Sequence, residues 1–395
     1  MSHAGPALHL VVLIDAFGWP IAQRLDFMAD VLPHRTPLRT VLGYSSGAIP
    51  TMLTGKLPAE HGRWNLFYYD RDGSPFRWLR HARFLPEPVL DNRYARKAIK
   101  ELGKRALGLG SLFDCAVKPS LLPWFNWTEK TNIYETRGIP GTTSIFDELA
   151  SAGVPHKVYT YHRYRDTDIL DEAGRDVERG AERFFFLYLS EIDAFLHQHR
   201  TDEARIEEKF AWYERRLRDL LARARAQDSR AEMTILSDHG MAPVRRHHDL
   251  ARDINELGLT MPRDYLAVYD STMARFWFFS ETARRQVTER LARIPCGRIL
   301  TDENLQALGI RFADRRYGEL VFLMDAGWLI TSSDFNTNGW LPTGMHGYHP
   351  DDPDSDAIFL SSREPSRTMR TIADAYAVMR DAAAIGRQPE ESTAR

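Results

Sequence analysis

Acidic and histidine side chains stand where the predicted strands of this chain end. Asp15 closes the apolar run LHLVVLI, and Asp193 lies a few residues beyond the run FFFLYLS. Asp238 and His239 directly follow the run MTILS. In an open α/β sheet the carboxyl ends of parallel strands form one crevice, which is where ligands bind. The strand ends therefore predict oxygen and nitrogen ligands gathered at one site.

Metal binding is the chemistry that these residue types favour. Asp193 and His197 are four residues apart in EIDAFLH, so a helix would place both side chains on one face. His346, in GMHGYH, could add a ligand from a tight loop. Each residue alone has a simpler interpretation, because a strand-end Asp usually caps a helix or forms a turn. Imidazole nitrogen with carboxylate favours zinc or another transition ion such as manganese over calcium.

A serine-containing loop, LGYSSGAIPTMLTG, leads into a predicted short helix over 48–53. Free backbone N–H groups and the helix dipole favour an anion such as phosphate at a helix N-terminus. A serine there is also an ordinary helix N-cap. Ser45 is therefore either an anion-binding residue or a cap.

The surrounding elements predict an α/β fold, a largely parallel sheet flanked by helices. Short apolar runs that alternate with helices are typical of parallel strands covered on both faces. From 263 to 336 a strand, helix, strand order predicts a small inserted α+β subdomain. The predicted core is 1–262 and 337–385, with a cap-like insertion at 66–140 and a flexible tail at 386–395. The predicted strands are 8–14, 156–161, 183–190 and 233–237, and the helices between them include 143–153 and 202–227.

Composition and charge exclude several classes of protein. With 395 residues, 43% of them hydrophobic, the chain can bury at least one large core. Its 52 basic and 54 acidic residues nearly balance, so no overall field selects nucleic acid or an anionic membrane. Two distant cysteines argue against a disulfide framework, and no secretory signal pattern opens the sequence, so we expect a cytoplasmic enzyme. The apolar runs are too short for a membrane span.

The order of these motifs resembles that of the alkaline phosphatase superfamily, and most closely its branch of type I phosphodiesterases and nucleotide pyrophosphatases. In that branch a Thr or Ser nucleophile precedes a Thr-Gly by nine residues, and counting back from Thr54 gives Ser45. An Asp-x-x-x-His, an Asp-His-Gly-Met and a His-Gly-Tyr follow in the same order. The matching positions here are Thr54-Gly55, Pro58, His61-Gly62, Asp193 with His197, Asp238 to Met241, and His346 to Tyr348.

The resemblance implies a hydrolase of phosphate esters with two divalent metal ions, zinc or alternatively manganese. Ser45 would attack phosphorus to give a phosphoseryl enzyme, which water then hydrolyses. His61 would be structural. The implied ligands are Asp193, His197 and His346 for one metal and Asp15, Asp238 and His239 for the other, with Ser45 at the second.

The sequence departs from its relatives directly after the serine. Nucleotide pyrophosphatases of this branch usually carry Phe-Pro-Asn there, whereas this chain has Ser46, Gly47 and Ala48. A nucleotide preference is therefore not carried over, and the signature of sulfatases is also missing. The predicted partner is a small phosphoester, most simply a phosphodiester or pyrophosphate, while the leaving group and oligomeric state stay open.

Two other functions fit the same sequence. One is a phosphomonoesterase or phosphomutase of the same superfamily. The other is a non-catalytic binding protein that holds a partner through aromatic residues of the cap-like insertion. Those aromatic residues, which would as a group also form a substrate wall in an enzyme, are Tyr68, Tyr69, Trp124 and Trp127.

Overall fold

The computed structural model of the protein describes residues 7–82, 92, 94–95, 97–99, 101, 117–335 and 341–385. The predicted tail at 386–395 and part of the predicted insertion at 66–140 lie outside these residues. The strands are β1 His9–Ile14, β2 His34–Leu38, β3 Phe67–Tyr69, β4 Phe125–Trp127, β5 His156–Tyr159, β6 Phe184–Leu189, β7 Glu232–Leu236, β8 Ala242–Pro243, β9 Arg246–His248, β10 Tyr265–Asp270, β11 Met273–Phe278, β12 Gly297–Leu300, β13 Leu320–Met324, β14 Trp328–Ile330, β15 Gly344–Met345 and β16 Ala357–Ser361. The α-helices are α1 Trp19–Arg24, α2 Ser45–Thr54, α3 Pro58–His61, α4 Ile145–Ser151, α5 Asp166–Arg179, α6 Glu191–His199, α7 Glu203–Gln227, α8 Leu250–Asn255, α9 Glu281–Leu291, α10 Asp302–Ala307 and α11 Ala375–Ala382, and short 3-10 helices lie at Arg77–Ala82, Leu122–Trp124, Pro353–Ser355 and Ile372–Asp374.

A six-stranded sheet in the order β2-β16-β7-β1-β6-β5 forms the centre of the molecule. Strands β7, β1, β6 and β5 run parallel to one another, and Val12 of β1 lies opposite Leu187 and Ile235. Strand β16 is antiparallel to both β7 and β2. The predicted α/β class with a largely parallel sheet is confirmed.

Both faces of this sheet are covered, which explains why its strands are continuous apolar runs rather than alternating ones. On one face Val12 belongs to a core with α5 and α7, which contribute Ile169 and Phe210. On the other face Val11 packs with α2 and α4, through Ile49 and Phe146. Full burial of one such side chain stabilises the fold by roughly 1.5–3 kcal/mol.

A second, four-stranded sheet has the order β10-β11-β13-β12 and is antiparallel throughout. Tyr269 and other residues of one face pack with α8 and α9. Leu266 and Val268 of the other face pack with the β3–β4 pair, through Phe67 and Phe125. The described part of the region predicted as a cap therefore lies against the second sheet. The predicted domain limits themselves stay a prediction.

In the portions of the chain that the structure describes, none of the helices combines the length and the apolar character that crossing a membrane requires.

Candidate metal centre and active site

The predicted site residues meet at the carboxyl edge of the central sheet. Asp15 directly follows β1, and Asp238 and His239 lie two and three residues beyond the end of β7. Strand β6 leads through Ser190 into α6, whose first and second turns carry Asp193 and His197. His346 directly follows the short strand β15. Separate strand ends thus supply every side chain that the sequence singles out for metal binding.

One cluster consists of Asp15, Asp238 and His239, and all three are buried. The Nε2 atom of His239 lies 3.3 Å from Oδ2 of Asp238 and 3.6 Å from Oδ1 of Asp15. The second Asp15 oxygen accepts a hydrogen bond from the hydroxyl of Tyr188. These three side chains match the ligand set that the resemblance implies for one metal.

The second cluster is centred on Asp193. Its Oδ1 atom lies 3.3 Å from Nε2 of His197 and 3.4 Å from Nε2 of His346. The rings of His346 and His239 stack at 3.8 Å between centroids, which joins the two clusters. The structure therefore brings all six predicted ligands together, while their binding of metal stays a prediction.

A histidine can bind a cation only through a ring nitrogen that carries no proton, so the position of the proton on each imidazole matters. Nδ1 of His197 lies 2.8 Å from the carbonyl oxygen of Gly344, and Nδ1 of His239 lies 3.0 Å from that of Gly240. A carbonyl oxygen only accepts, so both Nδ1 atoms carry the proton, and in the neutral ring Nε2 presents a lone pair. Those lone pairs face carboxylate oxygens.

Among the described residues, three buried oxygens of these carboxylates have no hydrogen-bond partner, namely Oδ1 of Asp15, Oδ1 of Asp193 and Oδ2 of Asp238. Lone pairs that converge on anionic oxygens repel each other unless a cation lies between them. Buried charges are normally paired or coordinate metals. The donor set therefore fits divalent cations bound by imidazole and carboxylate.

The pKa values reflect the same crowding of charge. Burial, together with the negative charges of Asp238 and Asp193, raises the pKa of Asp15 well above its ordinary value. Burial and the neighbouring His239 lower the pKa of His346 to about 4. Burial opposes ionisation of Asp193, but His197 and His346 outweigh it and lower the pKa of that carboxyl well below its usual range. Burial alone would lower the pKa of His197, but the charge of Asp193 and the hydrogen bonds of the ring raise it above its ordinary value. His346 is therefore the imidazole whose lowered pKa favours the neutral form, which is the form that binds a metal.

Ser45 is the first residue of α2, and Tyr44 takes the N-cap position. The Tyr44 side chain makes no capping bond, and the Oγ of Ser45 lies 3.1 Å from Nε2 of His239. The helix thus begins three residues earlier than the predicted start at Ala48, and the N-cap interpretation of Ser45 is wrong. The hydroxyl lies beside the Asp15 cluster.

The residues after Ser45 pack against the backbone of the 63–65 segment. The Ser46 hydroxyl donates a hydrogen bond of 2.8 Å to the carbonyl oxygen of Trp64. A Cβ atom on Gly47 would lie 2.9 Å from the same oxygen, closer than real Cβ atoms come. The small Ser46-Gly47 pair is therefore required by close packing.

Three supporting contacts were not predicted. Asp166 accepts hydrogen bonds from the backbone N–H groups of Ser190 and Glu191, at 3.0 and 3.1 Å, and so caps the helix that carries Asp193. Thr272, in the turn between β10 and β11, donates to the carbonyl oxygen of Gly347 at 2.9 Å, beside His346. The third contact is the bond from Tyr188 to Asp15. A tyrosine inside the otherwise apolar run FFFLYL was the one available signal, because a buried Tyr hydroxyl usually has a partner.

The contacts of His61 fit the structural role that the resemblance implies for it. Its Nε2 lies 3.0 Å from the hydroxyl of Thr51, and its Nδ1 accepts a bond from the backbone N–H of Arg63. Burial and the positive charge of Arg63 lower its pKa to about 3. A neutral His61 therefore holds α2 against α3.

A cavity of about 680 Å³ opens beside Ser45, within the range of roughly 300–1,000 Å³ typical of small-molecule sites. Aromatic rings line it, but they are not the predicted ones. Trp127 lies in the core against the second sheet, with Tyr69 and Trp124 packed on it, and Tyr68 packs against Tyr317. The prediction that these four aromatic residues form the substrate wall is wrong. The lining is Asp15, Ser45, Ser46, Ile49, Pro50, Arg63, Glu129, Lys130, Thr131, Asn132, Ile133, Tyr134, Tyr161, His162, Tyr188, Ser190 and Asp193.

An α/β sheet with two imidazole–carboxylate clusters and a serine at its carboxyl edge defines an alkaline-phosphatase-like core and a metal-dependent hydrolase. The sequence profile of the family named type I phosphodiesterase / nucleotide pyrophosphatase matches residues 10–349, and the chain belongs to this family. The prediction of a phosphodiesterase-like hydrolase is confirmed. No curated protein matched the chain significantly in sequence.

Solved structures with the same fold include murine ectonucleotide pyrophosphatase / phosphodiesterase 5, with a TM-score of 0.66, 17% identity and 95% of each chain covered. An inactive Thr-to-Ala variant of the murine protein in complex with AMP has the same TM-score and identity, over 96% of this chain and 95% of that one. The human ectonucleotide pyrophosphatase / phosphodiesterase 5 has a TM-score of 0.67 and 15% identity, over 97% and 96%. At these identities the likeness shows the fold.

Proposed function

We propose that the protein hydrolyses small phosphodiesters or pyrophosphates with Ser45 as nucleophile and two divalent metal ions held by the Asp15 and Asp193 clusters. The observation that carries this proposal is the contact of 3.1 Å between Ser45 Oγ and His239 Nε2 at the edge of three unpartnered carboxylate oxygens. A serine in that position has no capping role to explain it.

The residues of the chain define how the reaction would begin. Because His239 keeps its proton on Nδ1, its Nε2 presents the lone pair that would bind the metal of the Asp15 cluster, and Ser45 Oγ lies 3.1 Å from this atom. The serine hydroxyl therefore lies at the cluster whose metal would favour its deprotonation. The N-terminus of α2 places free N–H groups and the positive end of the helix dipole near the phosphoryl oxygens. Bound divalent cations would lower the pKa of the serine hydroxyl and neutralise charge on the phosphoryl and leaving oxygens.

The expected reaction consists of two displacements. The Ser45 Oγ–phosphorus bond forms while the bond from phosphorus to the first alcohol breaks, and that alcohol leaves with a proton. Water then attacks phosphorus, and the Oγ–phosphorus bond breaks. Ser45 regains its proton, and a phosphomonoester is released. Zinc, with manganese the alternative, is the proposed metal because the donors are imidazole and carboxylate.

The substrate class rests on the family and on one relative. The AMP bound to the murine relative makes nucleotide phosphodiesters a first class to assay. The Ser46-Gly47 packing against Trp64 leaves no large side chain after the nucleophile to stack on a base. A cytoplasmic location, expected from the sequence, stays a prediction.

Hydrolysis of bis(p-nitrophenyl) phosphate by zinc- or manganese-loaded protein tests the proposal. The Ser45→Ala variant should lose at least about 10³-fold in kcat, because no other nucleophile replaces the hydroxyl. Ser45→Thr, which keeps a hydroxyl, should retain measurable activity and serves as the matched control. Residual activity of Ser45→Ala near that of the parent would remove Ser45 from the mechanism.

The same preparation distinguishes the alternative functions. Faster turnover of p-nitrophenyl phosphate than of the diester would favour a phosphomonoesterase or phosphomutase. Purified protein that binds no metal and hydrolyses neither ester would favour a binding protein. The family to which the chain belongs favours the diester.

A further inference from the structure

Two positively charged side chains share the cavity with Ser45. Arg63 and Lys130 both line it, and neither forms an ion pair with a carboxylate in the part of the chain that the structure describes. Besides the carboxylates of the metal clusters, the lining contains one acid, Glu129, whose charge favours the protonated form of Arg63. Among the residues that line the cavity away from the metal clusters, two basic side chains thus face one acid, while the charge of Asp70, outside the lining, favours the protonated form of Lys130.

Arg63 is buried and held in a fixed position by hydrogen bonds. Only 6% of the residue is exposed, and its guanidinium donates to the carbonyl oxygens of Thr128 and Gly138, at 2.6 and 3.3 Å, and to the hydroxyl of Thr131, at 3.1 Å. These acceptors are neutral, and its buried Nε has no partner in the ranges that the structure describes. A buried cation without a counterion is costly unless a ligand supplies the negative charge.

The same hydrogen bonds hold the backbone around Lys130 in place. The residues that Arg63 holds, Thr128 and Thr131, flank Lys130 in the chain, so the lysine lies on a segment anchored to Arg63, and it lines the same cavity as Ser45. Lys130 is itself exposed, which lets its ammonium group move toward a ligand in the cavity. Arg63 supplies a fixed charge and Lys130 an adjustable one.

We propose that Arg63 and Lys130 form a subsite for a second anionic group of the substrate, a carboxylate or a phosphate, next to the phosphoryl group that Ser45 attacks. This inference rests on the proposed function and narrows it to phosphoesters that carry an additional negative charge. Phosphodiesters whose second alcohol is neutral would be poorer substrates. Those whose second alcohol is cationic would be poorer still, because the positive charges of Arg63 and Lys130 would repel it.

Three p-nitrophenyl phosphodiesters that differ only in the second alcohol test the subsite: propyl, 2-carboxyethyl and 2-(trimethylammonio)ethyl. The leaving group is the same in all, so kcat/KM compares only the substituent. The carboxyethyl ester should exceed the propyl ester by about tenfold or more, since hydrogen bonds to charged groups are worth roughly that factor. The trimethylammonio ester should be the poorest.

Substitutions at Lys130 locate the effect. Lys130→Met should lower the ratio of kcat/KM between the carboxyethyl and propyl esters by about tenfold. Lys130→Glu should invert the preference toward the trimethylammonio ester, and Lys130→Arg should retain the ratio. Lys56→Met, at an exposed lysine outside the cavity lining, is the matched control and should leave all three values unchanged.

Equal kcat/KM values for the three esters would overturn the subsite but not the proposed function. An equal loss on all three in Lys130→Met would also overturn it, because that result would place the lysine on the attacked phosphoryl group. Release of no p-nitrophenolate from any ester by the metal-loaded protein would overturn the proposed function and the subsite together.

Discussion

At the scale of single residues, a second hydrogen-bond partner decides, for three of the predicted ligands, which atom is left for a metal. Carbonyl oxygens fix the protons of His197 and His239 on Nδ1, and the Tyr188 hydroxyl occupies one oxygen of Asp15. The remaining atoms point at one another. Such outer contacts orient metal ligands and tune their affinity.

Tyr188→Phe should weaken metal binding by about tenfold or more, because Asp15 loses the donor that holds its carboxylate in place. Titration of the metal-free protein with zinc measures this effect as a change in the dissociation constant for zinc. Tyr159→Phe is a matched control, since Tyr159 also donates to a carboxylate, that of Asp176, away from the site. A similar loss in both variants would show a general effect on the fold instead.

The sequence predicted the ligands but not their partners, for a physical reason. Asp15 and Asp238 follow apolar strands at fixed places, and strand ends of a parallel sheet must meet at one edge. Arg63 and Asp166 act through side-chain contacts between segments distant in sequence, which no local pattern records. Tyr188 could have been found, because it is the polar residue in an apolar strand.

At the scale of elements, the start of α6 determines the position of the Asp193 cluster. Its N-cap residue, Ser190, makes no side-chain capping bond. Asp166, the first residue of α5, supplies the missing acceptor and also accepts a bond of 2.5 Å from the Tyr213 hydroxyl of α7. Three helices are therefore joined at one carboxylate.

Asp166→Ala should lower the free energy of unfolding by about 1–2 kcal/mol, the usual cost of a lost helix cap. It should also weaken zinc binding, because the first turn of α6 carries Asp193. Asp202→Ala removes the cap of α7, where Asp202 accepts from the N–H of Arg205, and is the control. Urea unfolding and zinc titration of both variants should show comparable destabilisation but weaker binding only for Asp166→Ala.

The elements that the sequence predicted correctly are the long or strongly patterned ones. Strands β1, β6 and β7 and helix α7 lie where apolar runs or an apolar stripe indicated them. Strands β2 and β16 were not predicted; HRTPL contains a proline and polar residues, and AIFLS has no turn signal that would separate it from a buried loop.

At the scale of the whole molecule, Asp228 links the end of α7 to the first strand of the sheet. Its carboxylate accepts from the backbone N–H of Leu8 at 3.4 Å and from the guanidinium of Arg230 at 3.0 Å. The hydrogen bond to Arg230 is the largest of the effects that lower its pKa to about 2. An unfolded chain has an Asp pKa of about 3.9.

Because the folded pKa is the lower one, this stabilisation is fully present above pH of about 4 and is lost as pH falls through about 2. At neutral pH Asp228→Asn should be less stable than the parent by about 1–2 kcal/mol, and the difference should shrink by roughly half near pH 3. Urea unfolding in EDTA at both pH values measures this difference in the free energy of unfolding. Protonation of the predicted metal ligands affects the parent and the variant equally, so its contribution cancels in the difference. A difference that is constant with pH would contradict the assignment.

Thr272 gives the second sheet a part in the candidate metal centre, although the sequence predicted that region as an inserted subdomain. Its hydroxyl lies 3.1 Å from the Tyr44 hydroxyl and donates to the carbonyl oxygen of Gly347, so one turn of the second sheet braces the residues beside both Ser45 and His346. For protein engineering, this means that the 265–324 sheet is not an interchangeable module. A minimal hydrolase made by excising it, or a hybrid made by exchanging it with that of a relative, would need a new hydroxyl at this turn to keep the serine and the histidine in register.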